Sequence, residues 1–189
     1  MKLSPLQLIW RFARMGPVLL LTLGAPAASG EEVPLVPSPP EVVDAMLKLA
    51  EVGRGDFVVD LGSGDGRIVV AAAQKFQAAG RGVEINSRWI ELARARASEA
   101  GVSDRVDFVQ GDLFEAAVED ATVVTLYLSS SANVRLRSRL LRELKVGSRI
   151  VSHVFDMGDW EADKTGDAAG RLLRLWIVTD KAKAAYGRP

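Results

Sequence analysis

The sequence predicts an α/β domain whose core is a mostly parallel, twisted sheet of six to seven strands flanked by helices. Short segments rich in β-branched residues alternate with longer amphipathic segments from about residue 57 to residue 152. A glycine-rich turn joins the first of these strands to the helix that follows it. Strands that alternate with helices in this way form right-handed crossovers and a parallel sheet.

The individual elements follow from this alternation. A proline-rich linker leads into a first helix, in which Ser38 and Glu41 form a capping box and the prolines lie in the first turn. The first strand starts at Phe57 and the short second strand ends at Glu84. We predict further helices over 68–76, 87–100 and 133–145, and further strands over 106–109, 122–127, 148–152 and 171–178. The last strand needs an antiparallel partner, for which 160–167 is the candidate.

Composition and charge limit the classes of function. The 189-residue chain holds 24 basic and 24 acidic residues, no cysteine and one histidine. Disulfides, thiolate metal sites and cysteine nucleophiles are therefore excluded, and we expect no metal site. Residues 1–30 hold three of the basic residues and no acid, which leaves 31–189 with 21 basic and 24 acidic residues, a net charge of −3. This balance argues against a nucleic-acid partner.

The chain divides into three parts: a signal-like or membrane-targeting segment over 1–30, a proline-rich linker over 31–40 and the domain over 41–189. The first part has basic residues, then the apolar run 18–23, then small residues that include Ala25-Pro26-Ala27 as a cleavage site, as in a secretory signal peptide. The apolar run is too short for a membrane-spanning helix. There are three alternatives to a signal peptide. Residues 1–30 form an organellar transit peptide, residues 3–15 form a helix that lies in a membrane interface, or the protein starts at Met15.

The glycine-rich turn carries the strongest functional signal. It follows the first strand as Asp60-Leu-Gly62-Ser63-Gly64-Asp65-Gly66, and the helix starts next. Glycines there accept positive φ and leave the backbone open to a ligand, and the N–H groups at the helix start favour a polar or anionic group. The alternative is a βα turn that binds nothing.

Three acids close successive strands and narrow the choice of ligand. Asp60 ends the first strand, Glu84 ends the second at the spacing expected of a ribose-binding carboxylate, and Asp112 follows the third. In a dinucleotide fingerprint the third glycine would stand where this chain has Arg67. A pyrophosphate would also be repelled at short range by Asp60 and Asp65, whereas a cationic or zwitterionic ligand would not.

The D-x-G-x-G-x-G pattern resembles motif I of the class I S-adenosylmethionine (SAM) methyltransferases, which have a Rossmann-like fold. The resemblance implies SAM as cofactor, and it implies that Asp112 accepts the adenine amino group. The predicted cofactor site comprises Asp60, Gly62, Ser63, Gly64, Asp65, Gly66, Glu84, Asp112 and Leu113.

Further segments resemble a narrower family, the lysine methyltransferases that include the ATP-synthase c-subunit enzyme and its bacterial relatives. The similarity covers about 33–178 and rests on 36–39, 60–69, 125–128 and 152–160. It implies a SAM-dependent methyltransferase that acts on a lysine of a protein, including a membrane protein. No Asn-Pro-Pro-Tyr motif follows the fourth strand, which counts against methylation of amides or of the adenine amino group.

Lysine methylation calls for a site that strips water from the amine and holds its aliphatic stem. Aromatic side chains do both, through desolvation and cation–π contact. Tyr127 at the end of the fourth strand is the first candidate, and Phe155 and Trp160 after the fifth strand are the next ones. His153 is the candidate base. Each of Tyr127, His153 and Trp160 has an alternative role as a packing residue.

Two other functions fit the same fold. One is a SAM-dependent methyltransferase of a small molecule, which requires a closed pocket instead of an open lysine channel. The other is an exported binding protein that keeps the fold without turnover. For an active enzyme we expect a monomer with a protein substrate, attached to a membrane through its N-terminal segment on the cytoplasmic or organellar matrix face, where SAM is available.

Overall fold

The computed structural model describes residues 37–188. The predicted targeting segment over 1–30 and most of the proline-rich linker lie outside the described residues. The helices are α1 (Pro40–Leu49), α2 (Arg67–Phe76), α3 (Ser87–Glu99), α4 (Ser130–Glu143) and α5 (Asp180–Tyr186). The strands are β1 (Phe57–Leu61), β2 (Ala79–Glu84), β3 (Val106–Gln110), β4 (Val123–Leu126), β5 (Arg149–His153), β6 (Lys164–Ala168) and β7 (Arg171–Ile177).

The seven strands form one sheet in the order β3-β2-β1-β4-β5-β7-β6. Strands β1 to β5 are parallel, and β7 runs antiparallel to both β5 and β6. The chain moves outward from β1 to β3 and then returns to place β4 on the other side of β1. Ligands of open α/β sheets bind at such a reversal, beyond the carboxyl ends of the strands. The mostly parallel α/β sheet predicted from the sequence is confirmed.

Helices cover both faces of the sheet, and the central strands are accordingly apolar on both sides. Along β1, Val58 packs into a core with α1 and α2, whereas Val59 and Leu61 pack into the core beneath α4 and α5. In β4, Val123 packs into the core with α1 and α2, and Val124 packs into the core beneath α4 and α5. This alternation puts Asp60 and Thr125 on the α1/α2 side of the sheet, because side chains alternate along a strand.

Several boundaries differ from the prediction for local reasons. Helix α4 starts at Ser130, three residues earlier than predicted, because the Ser129 hydroxyl accepts a hydrogen bond from the Ala132 N–H and caps the helix. Helix α3 is capped by the Asn86 side chain. The predicted capping box of α1 is wrong: its N-cap is Pro39, and the Ser38 hydroxyl bonds His153 instead.

The antiparallel end of the sheet was the least predictable part. The partner of β7 is β6, and four of its five residues lie within the candidate segment 160–167. Strand β6 is an edge strand, half-buried at most, and its sequence Lys-Thr-Gly-Asp-Ala carries no apolar alternation. The short helix α5 was not predicted.

Gly66 sets the distance between α2, α3 and β3. It lies at φ +74°, and a Cβ there would stand 2.6 Å from the Phe108 ring and 2.7 Å from the Ala93 Cβ. Neither neighbour can move freely, because both are buried core residues. The glycine at 66 therefore permits the close helix–strand packing that the third glycine of a dinucleotide fingerprint provides.

We expect Gly66→Ala to lower the free energy of unfolding by about 2–5 kcal/mol, the sum of a left-handed backbone and an overpacked core. Gly101→Ala is the matched control, because Gly101 also has positive φ (+67°) but has no atom within 4 Å of the added Cβ. It should lose only about 1–2 kcal/mol. Urea unfolding of the three proteins measures both values, and equal losses would show that the packing argument fails.

Candidate active site

The glycine-rich loop between β1 and α2 forms the centre of the site. Its three glycines, Gly62, Gly64 and Gly66, all adopt positive φ, of +79°, +51° and +74°. The N–H groups of Gly62 and Ser63 both donate to the Val83 carbonyl, at 2.9 and 3.0 Å. The loop is thus fixed to the end of β2 by backbone hydrogen bonds, and its geometry does not depend on a ligand.

Glu84 lies where β2 ends and joins two backbone segments. One carboxylate oxygen accepts from the Gly64 N–H and the other from the Asn86 N–H, each at 3.0 Å. Each oxygen retains a second lone pair. A carboxylate oriented in this way can accept two neighbouring hydroxyl groups at once, which is the role predicted for a ribose-binding acid.

Asp60 is a buried carboxyl group at the end of β1. It accepts a 2.6 Å hydrogen bond from the Thr125 hydroxyl on the neighbouring strand β4. Burial raises the pKa of Asp60 to about 7 despite that hydrogen bond, and the charges of Glu84 and Asp65 raise it further. A cationic group in contact would favour the ionised form. Asp60 therefore suits the ammonium group of an amino acid and disfavours a phosphate.

Asp65 is held by arginines. Arg67 and Arg96 form salt bridges with it at 2.6 and 2.7 Å. Burial alone would raise its pKa, but the hydrogen bonds and charges of these two arginines lower it overall. This pairing corrects one step of the sequence argument: the charge of Asp65 is largely neutralised, so the repulsion of a pyrophosphate depends on Asp60 and Glu84. Asp65 ties the loop to α3.

The remaining predicted cofactor residues lie at the same edge. The Ser63 hydroxyl is buried and has no hydrogen-bond partner among the described residues. Asp112 stands two residues beyond β3, is exposed, and accepts from the Phe114 N–H at 2.8 Å. Leu113 reaches the loop, since its side chain would lie 3.7 Å from a Cβ built on Gly62. Ser63 and Leu113 thus lie at the glycine loop and Asp112 follows the neighbouring strand, and their roles in cofactor binding stay predictions.

An aromatic group adjoins the loop on the other side of β1. Tyr127 follows Leu126, which pairs with Leu61 on β1 and with Ser152 on β5. Tyr127 thus stands between Gly62 and His153 at the carboxyl edge of the sheet. Its ring stacks on the His153 ring with centroids 3.9 Å apart and lies 6.1 Å from the Phe155 ring. Tyr127 and Phe155 are half-buried, so the pair faces the edge where a substrate would enter.

His153 is fully buried beneath Tyr127. Its Nδ1 shares a 2.8 Å hydrogen bond with the Ser38 hydroxyl, and its Nε2 has no partner among the described residues. Burial and the charge of Arg171 lower its pKa to about 4, so the ring is neutral at physiological pH. A neutral ring in this position supports Tyr127 and is a weak acceptor for a lysine proton. The role of base stays a prediction.

Trp160 lies away from this group. It is buried in the core beneath α4 and α5, with its ring 6.1 Å from that of Trp176 and 6.0 Å from that of Tyr186. Its carbonyl accepts from the Trp176 indole N–H at 2.8 Å. This placement corrects the expectation that Trp160 lines an acceptor channel, because the loop after β5 turns it inward.

Three buried polar residues at this edge were missed: Ser38, Thr125 and Asn133. Thr125 had a visible signal, since it is a polar residue inside an otherwise apolar strand. Ser38 was assigned to a helix cap, and its true partner is 115 residues away in sequence. Asn133 was taken as the start of α4, although it lies inside that helix.

Comparison with known proteins identifies the family. The family model "ANTKMT methyltransferase domain" matches residues 60–164. The chain is 45% identical over 129 residues to a protein-lysine N-methyltransferase of Saccharolobus islandicus (strain REY15A), covering 68% of this chain and 80% of that protein. This chain belongs to the ANTKMT methyltransferase family. It is a SAM-dependent methyltransferase.

One further related sequence and one solved structure are also similar to this chain. The lysine N-methyltransferase of the ATP-synthase c-subunit from Homo sapiens is 33% identical over 132 residues, which are 69% of this chain but 55% of that protein. A solved structure of an RNA methyltransferase from Salinibacter ruber, in complex with S-adenosyl-L-homocysteine, is 51% identical. Its TM-score is 0.75, and the match covers 77% of this chain and 95% of that chain. The resemblance predicted from the motifs is confirmed.

The residues of this methyltransferase fit SAM. The Glu84 carboxylate has acceptor capacity for the ribose hydroxyls, and Asp60 is a buried acid beside an open glycine loop. The Ser63 hydroxyl has no partner within the part of the chain that the structure describes. Among residues 37–188, no three His, Asp or Glu side chains converge in a way that would hold a metal ion. The polar side chains of this site therefore suit a zwitterionic nucleoside.

We expect the affinity for SAM to rise about tenfold from pH 6 to pH 8, because Asp60 ionises through a pKa of about 7 and then pairs with the cofactor's ammonium group. Asp60→Asn should bind more weakly and show a much flatter pH dependence. Isothermal titration with SAM at three pH values measures both. The same slope in wild type and variant would assign the titration to another group.

The same raised pKa affects the protein without cofactor, in the opposite direction. Between about pH 4 and pH 7 the folded state keeps a proton on Asp60 that the unfolded chain has lost, so this group's contribution to stability falls as the pH rises. Urea unfolding of wild type and Asp60→Asn across this window supplies the control, and their difference in stability should change with pH in that sense.

Proposed function

We propose that this methyltransferase transfers the methyl group of SAM to a lysine side chain of a protein. The observation that carries the proposal is the half-buried pair of Tyr127 and Phe155, which stands directly beside the glycine loop at an open edge of the sheet. The pair offers two aromatic rings to the incoming group. This surface suits the aliphatic stem of lysine and its cationic head.

The side chains present make the amine a nucleophile by desolvating it. When bound, SAM supplies a methyl group on a sulfonium ion. The rings of Tyr127 and Phe155 exclude water from the lysine Nζ, which lowers the pKa of the ammonium and releases its proton to solvent. His153 is neutral and donates or accepts a hydrogen bond without carrying charge, so it adds no cation beside the amine. Positioning and desolvation then provide the catalysis.

A nucleic-acid substrate is the alternative that the 51% identical RNA methyltransferase from Salinibacter ruber raises. The net charge of −3 over residues 31–189 speaks against it, because phosphate contacts need a basic surface. The arginines of α4 are also engaged within the protein: Arg137 and Arg139 bind backbone carbonyls of loops, and Arg135 covers the Phe114 ring. They are therefore not a free phosphate-binding surface.

We propose further that the substrate is a membrane protein and that residues 1–30 bring the enzyme to the membrane surface. The support is the sequence of that segment: basic residues without acids, followed by an apolar run shorter than a membrane span. Within the described residues, no helix is both long and apolar enough to cross a bilayer. The need for SAM favours the cytoplasmic or organellar matrix face, and a monomer is the form proposed there.

The proposed substrate predicts transfer of a radiolabelled methyl group from SAM into proteins of a membrane extract, with the label recovered as methyl-lysine after acid hydrolysis. RNA from the same cells is the competing acceptor, and label in RNA alone would refute lysine transfer. Tyr127→Ala should raise the KM for the protein acceptor by about tenfold and leave the Kd of SAM within about twofold. Tyr127→Phe should stay close to wild type, because the ring is the part proposed to act.

The second tyrosine of the chain provides a control. Tyr186, the last residue of α5, is half-buried and stacks on the core residue Trp160, so Tyr186→Ala should lower the melting temperature without changing the KM for the acceptor. If both alanine variants change KM equally, Tyr127 acts only through folding.

The location is tested by sequencing the mature N-terminus of the purified protein and by fractionating cells that express it. Membrane attachment is supported if the protein in the membrane fraction has an intact N-terminus and if deletion of residues 1–30 removes the protein from that fraction. A chain that starts near residue 28 in an exported fraction would overturn it.

A further inference from the structure

The chain makes an unusual turn where β5 ends. Val154 has φ +69°, and the Phe155 N–H donates to the His153 carbonyl at 2.9 Å. A hydrogen bond from residue i+2 to residue i around a centre of positive φ is the rarer and strained form of the γ-turn. Positive φ in a β-branched residue is a genuine outlier. The surrounding structure must therefore hold Val154 in place.

One neighbouring strand, β7, and one helix, α4, hold this turn. The Val154 N–H donates to the Leu172 carbonyl at 2.7 Å, and the Val154 carbonyl accepts from the guanidinium of Arg174. On the next residues, the Asn133 amide donates to the carbonyls of Phe155 and Asp156 at 3.4 and 3.1 Å. These hydrogen bonds attach the backbone of Val154 to β7 and the backbone of the next two residues to α4.

Arg174 is the charged member of this set, and its charge also contributes to lowering the pKa of the Asp156 carboxyl group in the same loop. It lies on β7, half-buried, opposite Ser152 of β5. No carboxylate forms a salt bridge with it among the described residues, and its hydrogen bond goes to a backbone carbonyl. This hydrogen bond fixes the direction of the Val154 carbonyl, which points toward β7.

The turn determines where Phe155 lies. By reversing the backbone within three residues, it brings the Phe155 ring to 6.1 Å from the Tyr127 ring. A glycine at 154 would adopt the same φ without strain, whereas valine prefers negative φ and reaches this conformation only because its surroundings hold it there. The hydrogen bonds from Arg174 and to β7 therefore keep the turn, and with it Phe155, in place.

We propose that Arg174 is a positioning residue for the methyl acceptor: it stabilises the strained turn at Val154 and so holds Phe155 as the second aromatic wall beside Tyr127. This inference rests on the proposed lysine transfer, which it deepens by naming what shapes the acceptor site. Arg174 itself touches neither cofactor nor acceptor. Its effect on the reaction passes through the backbone of the turn.

The test is a double-mutant cycle between Arg174→Met and Val154→Gly. In the wild-type background, Arg174→Met should raise the KM for a protein acceptor by about tenfold while the Kd of SAM changes by less than about twofold. In the Val154→Gly background the same substitution should raise the KM by about threefold or less, because glycine does not need the guanidinium to keep positive φ. An equal rise in both backgrounds, or none in either, would overturn the proposal.

Arg142→Met is the matched control. Arg142 also donates to a backbone carbonyl, that of Gly187, but it lies on α4 away from the turn. It should leave the KM unchanged in both backgrounds. A comparable rise in KM for this variant would mean that loss of any such arginine disturbs the acceptor site, which also contradicts a specific role for Arg174.

A second measurement needs no acceptor and separates this proposal from the proposed function. The chain has two tyrosines, so isotope labelling of tyrosine resolves the ring signals of Tyr127 by NMR. Its cross-relaxation with the Phe155 ring should be present in wild type, weakened by Arg174→Met and restored in the double variant. Cross-relaxation that Arg174→Met does not change overturns the proposal even if lysine methylation is found. The predicted pattern supports the placement of Phe155 even if the acceptor is another molecule.

Discussion

The site depends on the attachment of the glycine loop to β2. Backbone hydrogen bonds from Gly62 and Ser63 to Val83, and from Gly64 to the Glu84 carboxylate, join the turn after β1 to the end of its neighbour. They place Glu84, the acid predicted to bind ribose, and an open loop within one rigid unit. Because β4 lies on the other side of β1, the same unit also fixes the position of Asp60 beside Thr125 and of Tyr127 beside the loop.

Two aspartates five residues apart show how position decides electrostatic role. Asp60 and Asp65 are both buried, yet the pKa of Asp60 is raised to about 7 and that of Asp65 is lowered. Asp65 has two arginines as partners, whereas Asp60 has a neutral hydroxyl. The salt-bridged Asp65 is a structural ion pair completed within the fold. Asp60 is a buried acid whose charge is stabilised only when a cation binds, which is what a binding site requires.

The sequence predicted most of the sheet and the cofactor edge, because strand β1, the glycine spacing and Glu84 are local patterns. It could not predict contacts between distant segments. Of the two arginines that pair with Asp65, Arg67 is two residues away, but Arg96 is 31 residues away on α3 and could not be assigned from the sequence. Trp160 looked like a channel residue because nothing in its neighbourhood shows that the loop after β5 folds inward. Strand β6 was indistinct because an exposed edge strand needs no apolar face.

The contact between Ser38 and His153 has a consequence for how the chain can be shortened. Ser38 also offers its carbonyl to Arg67, at 3.0 Å, so one residue before α1 connects the helix that follows the glycine loop with the end of β5. The boundary of the working enzyme therefore lies upstream of the first helix. Proteolytic trimming that stops before Pro37 leaves both edges of the site joined, whereas trimming to Glu41 separates them while leaving every strand intact.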